Sequence, residues 1–391
     1  MIDSTVRIAV VGAGPGGLTC ARILQNAGIA VTVFDRDASP DARSQGGSLD
    51  LHADSGQIAL REAGLLDRFF ALCRPEAQAM RMLDPTGRVL RQVTPAPGEM
   101  SCPEIDRGQL RALLLDSLAP GTVRWGRKVR AVDPRGNGVH RLRFADGGTA
   151  DFDLVVGADG TWSKVRPLLS DAVPGYTGVT FLDVLLHDVD ERHPEIAELV
   201  GEGGMGALTD FTGFMAHRLS NGAVDAHVCL RADLDWHVTA GLDLADTAAV
   251  RDHLVTAFAD WDPRFLRLIT EADGPYAHRP LYALPVPHTW EPRAGLTLLG
   301  DAAHVMSPFG GHGANLAMLD GADLARALVR SDDVDTAVSA YEAVMRSRAA
   351  EAGREASLDE SDVDDGPDFE AERRGYVERA AELTAQRAAL G

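Results

Sequence analysis

Residues 8–17 read Ile8-Ala9-Val10-Val11-Gly12-Ala13-Gly14-Pro15-Gly16-Gly17 and run directly into Leu18-Thr19-Cys20-Ala21-Arg22-Ile23-Leu24. An apolar run, a glycine turn and a helix-forming stretch, in that order, make a cradle for an anion. Gly12 permits the tight turn, Gly14 lets the backbone approach a pyrophosphate, and Gly17 lets the helix pack closely on the strand. Free N–H groups and the positive end of the helix dipole then face the phosphates. A second apolar run, Ala30-Val31-Thr32-Val33-Phe34, ends in Asp35, where an acidic side chain can accept hydrogen bonds from a ribose. The glycine pattern alone is weak, but strand, turn, helix, strand and acid together predict a dinucleotide in a Rossmann-like α/β domain.

Composition bounds the rest. At 391 residues the chain exceeds what one core usually serves, so two domains or one elaborated one are expected. A formal charge of −20 argues against nucleic acid or an anionic membrane as partner, since both call for a basic face. The cysteines Cys20, Cys73, Cys102 and Cys229 form no C-x-x-C pair, so neither a disulfide framework nor a metal site is implied. The opening Met1-Ile2-Asp3-Ser4 has no basic region before the first apolar run, which reads as a strand rather than a signal sequence. No apolar stretch reaches the ~18 residues of a membrane span. A cytoplasmic protein is expected, monomeric or weakly self-associating.

The α/β pattern does not stay in one piece. Residues 1–78 give the strand–helix–strand unit and a helical segment from Ser55 to Phe70. Residues 79–100 turn to short strand-like runs broken by Asp84-Pro85, Gly87 and Pro95-Ala96-Pro97-Gly98. A helix over 105–119 carries Leu110, Leu113, Leu114 and Leu118 on one stripe. A hairpin around Gly136-Asn137-Gly138 follows, then a buried strand, Phe152-Asp153-Leu154-Val155-Val156. From about Gly175 to Pro280 strands alternate with long turns, with a helix near Ala248 to Phe258. A strand at 296–299, a loop, and a helix from about Ala314 to Val329 come next; the remainder is helical around an acidic stretch, Asp359 to Asp368. Gly201-Glu202-Gly203-Gly204-Met205-Gly206 repeats the glycine spacing, but no buried strand precedes it and no helix follows. It reads as a flexible turn between strands.

Two further strand ends carry chemistry. Val155-Val156-Gly157-Ala158-Asp159-Gly160 ends a buried strand at an Asp-Gly turn, suited to a close backbone approach at the carboxyl edge of a sheet. Leu298-Leu299-Gly300-Asp301-Ala302-Ala303-His304 ends another strand, and Pro308-Phe309-Gly310-Gly311-His312-Gly313-Ala314-Asn315 leads into a helix starting near Asn315. Asp301 can accept from a ribitol hydroxyl, and the helix start can offer N–H groups to a reducible ring that gains negative charge.

With these anchors at its start, middle and end, the chain resembles the single-component, group A flavoprotein monooxygenases of the para-hydroxybenzoate hydroxylase family. It resembles more closely their tetracycline-inactivating subgroup, through Gly46-Gly47-Ser48-Leu49-Asp50-Leu51-His52, Pro103-Glu104-Ile105-Asp106-Arg107 with Leu110-Arg111, Asp260-Trp261-Asp262 and Gly300-Asp301-Ala302-Ala303-His304. The resemblance implies an FAD-binding domain over 1–78, 101–174 and 280–330, interleaved with a β-sheet substrate domain over 79–100 and 175–279. A C-terminal helical segment, 331–391, closes it. Non-covalent FAD is held by Gly12, Gly14, Gly17, Asp35, Gly47, Asp50, Arg107, Asp159, Gly160, Asp301 and the loop residues Pro308, Gly311, Gly313, Ala314 and Asn315. Arg36 and Arg43 meet NADPH, arginine being a forked donor suited to phosphate.

The implied reaction is NADPH or NADH reduction of FAD, capture of O2 as a flavin C4a-hydroperoxide, and oxygen transfer to an aromatic or polyketide-like molecule, by hydroxylation or addition to a ketone. Phe181, Phe211, Phe214 and Met215 are candidate substrate-lining residues, and His304 and His312 are candidates to assist proton transfer. The sequence departs from the family at Asp35, where glutamate is usual, and at His312, where glutamine is frequent. In the middle region Asp183, Gly204-Met205 and Asp225 stand where tetracycline-active relatives use Gln, Arg and His, so tetracycline is not inferred as substrate. A flavin-dependent dehydrogenase or reductase, or a silent flavin-binding protein, would share the motifs. A halogenase is disfavoured, because no W-x-W-x-I-P segment occurs.

Overall fold

The computed structural model describes residues 1–3, 5–43, 45–357 and 368–389. The fold is α/β. Its parallel sheet has the order Leu296–Leu298, Leu154–Gly157, Ile8–Val11, Val31–Phe34, Val123–Arg124. The three inner strands read as near-continuous apolar runs, broken only at Thr32, because both faces of the sheet are covered. Helix Pro15–Asn26 crosses helix His312–Arg330 at glycines: a Cβ on Gly321 would lie 2.3 Å from the Gly16 carbonyl oxygen. Only residues without side chains allow two backbones so near. Strands Val129–Gly136, Val139–Phe144 and Thr149–Phe152 make a separate antiparallel sheet. Its first turn places Asn137 and Gly138 at φ 51° and 74°, the left-handed pair that a tight hairpin requires.

The largest sheet has seven strands in the order Ala277–Ala283, Gly175–Leu186, Val224–Arg231, Thr212–Arg218, Gly204–Thr209, Met80–Leu83, Val89–Val93. All neighbours are antiparallel except Gly204–Thr209 with Met80–Leu83. Leu182, Val184, Phe214, Ala216, Val224, Ala226 and Val228 point to one face, where they join Ile196, Leu254, Phe258 and Phe265 from covering helices in a buried core. Residues of the opposite parity face the 308–312 loop.

Some local expectations shift. The helix expected over 55–70 is two, Gly56–Glu62 and Leu66–Phe70, parted where Gly64 takes φ 72°. Residues 104–106 form a strand paired with Ser48–Asp50, so the following helix starts at Arg107. The second glycine cluster is not a flexible turn. Gly204–Thr209 is a strand, and a Cβ on Gly203 would lie 2.1 Å from the Ala79 carbonyl, so these glycines serve close strand packing. The chain ends in helices Val334–Glu355 and Phe369–Ala389. Of the acidic stretch Asp359 to Asp368, all but Asp368 lies outside the described residues. Among the described residues no helix is long and apolar enough to cross a membrane.

Candidate active site

Parallel pairing brings the three anchors side by side. The ladder continues past the strands through Gly12 N–H to Phe34 O (2.8 Å), Ala158 N–H to Val11 O (2.9 Å) and Leu299 N–H to Gly157 O (2.9 Å). Gly12, at φ +113°, would carry a Cβ 2.2 Å from Ala158 O, and Gly17 one 2.3 Å from Gly12 O. Gly14 has open space where its Cβ would stand. It caps helix Pro15–Asn26 without a side-chain hydrogen bond, and the first turn holds no acid. The cradle therefore presents free N–H groups through a backbone too crowded for side chains, as a pyrophosphate site requires.

Asp35 is engaged with the backbone. Its Oδ2 accepts from Ala13 N–H and its Oδ1 from Asp37 N–H, both at 2.8 Å, so it fastens the turn while each oxygen keeps lone-pair capacity. Arg36 is exposed beside it, and Arg43 pairs with Asp37 at 3.0 Å. Arg111, not among the expected residues, is buried with its guanidinium over the Trp125 ring, 5.1 Å from the centroid, and 3.6 Å from Asp37. Its signal in the sequence was an arginine amid the leucine stripe of its helix.

Arg107 and Asp301 are surrounded by protein yet remain exposed, so both line an internal cleft. Burial, aided by the neighbouring Arg279 charge, lowers the Arg107 pKa against the pull of Asp301 and Asp225. Burial likewise raises Asp301. Asp159 accepts from Lys164 N–H at 2.6 Å, and its other oxygen, like Ser307 Oγ, is buried without a partner among the described residues. Gly160 follows at φ 77°. Gly47, at φ +85°, would carry a Cβ 3.1 Å from Asp225, which ties this turn to the large sheet. A crowded glycine cradle, a cleft lined by Arg107 and Asp301, and unpartnered polar atoms beside it fit an extended, polyhydroxylated anion such as FAD.

The loop from Pro308 ends at Gly311 (φ 65°), and the helix begins at His312 rather than near Asn315. Pro308 is exposed on that loop, and Gly313 and Ala314 sit in the first turn, which has neither a side-chain cap nor an acid. The Asn315 side chain is spent on the protein. Its Oδ1 accepts from His52 and Gly56 N–H at 2.9 and 3.2 Å, and its Nδ2 donates to Asp50 O at 2.7 Å. Asp50 lies 2.9 Å from His52 Nε2, and His52 stacks on Tyr376 of the closing helix at 4.0 Å. His312 meets His52 edge-on and lies 3.4 Å from Glu355, its pKa lowered by burial and the His52 charge.

His304 is buried, with Nε2 2.6 Å from Asp320 and Nδ1 without a partner among the described residues. Asp320 also accepts from Gly300 N–H (3.0 Å) and Arg348 (2.8 Å). This network anchors the turn that carries Asp301 and gives His304 a structural setting. Neither Asp320 nor Arg348 was among the expected residues.

Strand parity sorts the substrate candidates. Phe181 and Met215 lie with Phe211, Leu208 and Phe309 in a small apolar cluster on the loop-facing side of the large sheet. Phe309 approaches Phe181 and Phe211 with ring centroids at 5.7 and 5.2 Å. Phe211 holds φ 57° in a tight turn, a costly conformation for a bulky residue that marks constraint at this rim. Phe214 is corrected: successive strand residues face opposite sides, and it is fully buried against Phe258 and Phe265 in the other core. Beside the apolar cluster runs a polar row from four strands. His227 Nδ1 and Arg279 each lie 2.9 Å from Asp183 Oδ1, and Asp225 and His217 are cross-strand partners.

Residues 5–264 and 288–355 match a family described as FAD binding domain. Monooxygenase asqM of Emericella nidulans is 32% identical over 419 residues, covering 90% of this chain and 94% of its own length. The 6-hydroxynicotinate 3-monooxygenase of Pseudomonas fluorescens is 31% identical over 370 residues, covering 90% and 91%. Tetracycline destructase Tet(51) superimposes with a TM-score of 0.68 at 19% identity, covering 96% of each chain, a likeness of fold.

Proposed function

This chain belongs to the FAD binding domain family and is an FAD-dependent monooxygenase, and from that premise we propose how it works and on what. It takes electrons from NADPH or NADH and places one oxygen atom of O2 on an aromatic or polyketide-like small molecule. The observation that carries this reading is the meeting of three strand ends with a loop whose Phe309 reaches the apolar face of a second sheet.

Bound FAD supplies the electron-transfer and oxygen-activating chemistry. Gly12, Gly14 and Gly17 cradle its pyrophosphate, Asp35 takes its ribose, and Asp159 with Gly160 and Asp301 line the ribityl path. Arg107, opposite Asp301, adds positive charge to the cleft, while Gly47 and Asp50 hold the wall between cleft and large sheet. The first-turn N–H groups from His312 through Gly313, Ala314 and Asn315 offer positive potential to an anionic ring, and Pro308 and Gly311 set the loop. Arg36 and Arg43 meet the phosphates of the reductant. Phe181, Phe211, Met215 and Phe309 exclude water from the reacting face. The 6-hydroxynicotinate enzyme acts on a ring of the expected size, which supports an aromatic substrate.

The test is to purify the protein, record an oxidised-flavin spectrum, and follow NADPH and NADH oxidation with and without aromatic candidates under oxygen-18. Label in the product is expected. A protein that holds no flavin after added FAD sinks the reading, and reductant consumption without labelled product transfers it to a dehydrogenase.

A further inference from the structure

Three strands of the large sheet place Asp183, His227 and Arg279 together on the face that meets Phe309. Asp183 and His227 are direct cross-strand partners, and Phe181 pairs with Arg279 one step along. His227 Nδ1 is bonded to Asp183 Oδ1 at 2.9 Å. Among the described residues its Nε2 makes no hydrogen bond, and the side chain is 14% exposed. The imidazole stacks on Phe181 at 5.2 Å and 13°, and the Arg279 guanidinium lies over the same ring, 5.2 Å from its centroid. Phe181 in turn meets Phe309 edge-on. An imidazole tied to a carboxylate through Nδ1–H, with Nε2 free, is the arrangement of a general base.

We propose that His227 Nε2 is the base that takes the proton from an acidic hydroxyl of the substrate, with Asp183 as its positioning residue and Arg279 holding the oxyanion that results. The O–H bond of a phenol or enol breaks, an N–H bond forms on His227, and the products are a phenolate or enolate and an imidazolium beside Asp183. The negative oxygen raises electron density at the neighbouring ring carbons, which is what an electrophilic oxygen donor needs. The substrate class is then a planar ring bearing an acidic hydroxyl. A simple ketone, which has no such proton to give, is not served. This inference rests on the monooxygenase reading.

The surroundings agree with that assignment. The charged and titratable groups facing His227 are Asp183, Arg279, Asp225 and His217, with Arg107 across the cleft interacting with Asp225 and Arg279. Burial and the His227 charge push His217 down to about 4, leaving it neutral. Burial works against the Asp183 charge, but His227 and Arg279 outweigh it and keep that carboxylate ionised. The fixed charge of Arg279 favours an anionic ligand over a cationic one.

The test uses 4-nitrophenol, whose anion absorbs visible light, titrated into the FAD-loaded protein across a pH series below the probe's own pKa. In the wild type the probe is expected to bind as phenolate. In His227→Gln the pH at which half the bound probe is ionised should rise by about one unit or more, a tenfold change in phenolate fraction. Asp183→Asn should move the same profile in the same direction while flavin content stays unchanged. Identical pH profiles in wild type and both variants, or a wild type that holds flavin but binds no 4-nitrophenol, overturn the inference and leave the FAD reading intact. Failure of the wild type to hold flavin overturns that reading instead, and with it the inference.

Discussion

Replacing Asp320 with Asn would test how the cofactor edge of the parallel sheet is held. Asp320 is fully buried and serves Gly300 N–H, His304 and Arg348 at once. Asp320→Asn keeps the shape and removes the charge. Removing one partner of a buried ion pair destabilises by about 3–5 kcal/mol, because the charge left behind is uncompensated. Arg348 retains Asp323 at 2.8 Å, which places the expected loss near the lower end, about 3 kcal/mol. Against a typical stability of about 5–15 kcal/mol, that loss is plain in a urea titration followed by tryptophan fluorescence.

The pH dependence gives a second readout of the same variant. Burial opposes both charges, but mutual attraction outweighs it, so His304 is raised and Asp320 lowered. The Asp320 contribution is complete above its unfolded value of about 3.9 and is lost as pH falls through its lower folded value. The His304 contribution is complete below its unfolded value of about 6.5 and is lost as pH rises through its higher folded value. The difference between wild type and variant should therefore be largest between roughly pH 4 and 6.5 and shrink on either side. A loss under about 1 kcal/mol, or a difference that does not narrow as the pH climbs past neutrality, would refute this account of the network.

Asp301→Ala should weaken FAD retention by about tenfold or more, since a hydrogen bond to a charged group contributes about 1.5–3 kcal/mol; flavin absorbance after gel filtration measures it, and unchanged occupancy contradicts the assignment. Gly12→Ala should lower the thermal midpoint of the FAD-free protein, its Cβ meeting Ala158 O at 2.2 Å. Gly14→Ala, with open surroundings, should leave that midpoint near wild type and reduce FAD binding instead. Phe214→Ala should cost about 3–5 kcal/mol of stability with KM unchanged, whereas Phe181→Ala should raise KM; the reverse pattern would overturn the assignment of the two faces.

The features legible in the sequence were the local ones. Gly12 to Gly17 specify their turn through steric limits acting over a few residues, and Gly160 and Gly300 mark strand ends in the same way. The expected start of the helix near Asn315 missed by one turn because His312 itself begins it after a left-handed Gly311. Phe214 and Met215 were grouped by residue type, although neighbours in a strand cannot share a face. The second glycine cluster was read as flexible because its crowding comes from Ala77 and Ala79, far off in the chain, and from His217 on the next strand. The pairings of Asp320 with Arg348 and of Asp183 with His227 left no local signal, since each joins elements whose approach depends on the whole fold.

What the sequence by itself determined is the kind of cofactor cradle and the order of its parts along the chain, because backbone sterics and strand or helix periodicity act over short spans. Tertiary structure alone decided that three distant strand ends lie side by side and that Phe181 faces the loop while Phe214 faces the core. It also decided that Asp183 sits between His227 and Arg279. Those outcomes are set by sheet order and register, which fix every side chain's face at once and which no stretch of sequence carries on its own.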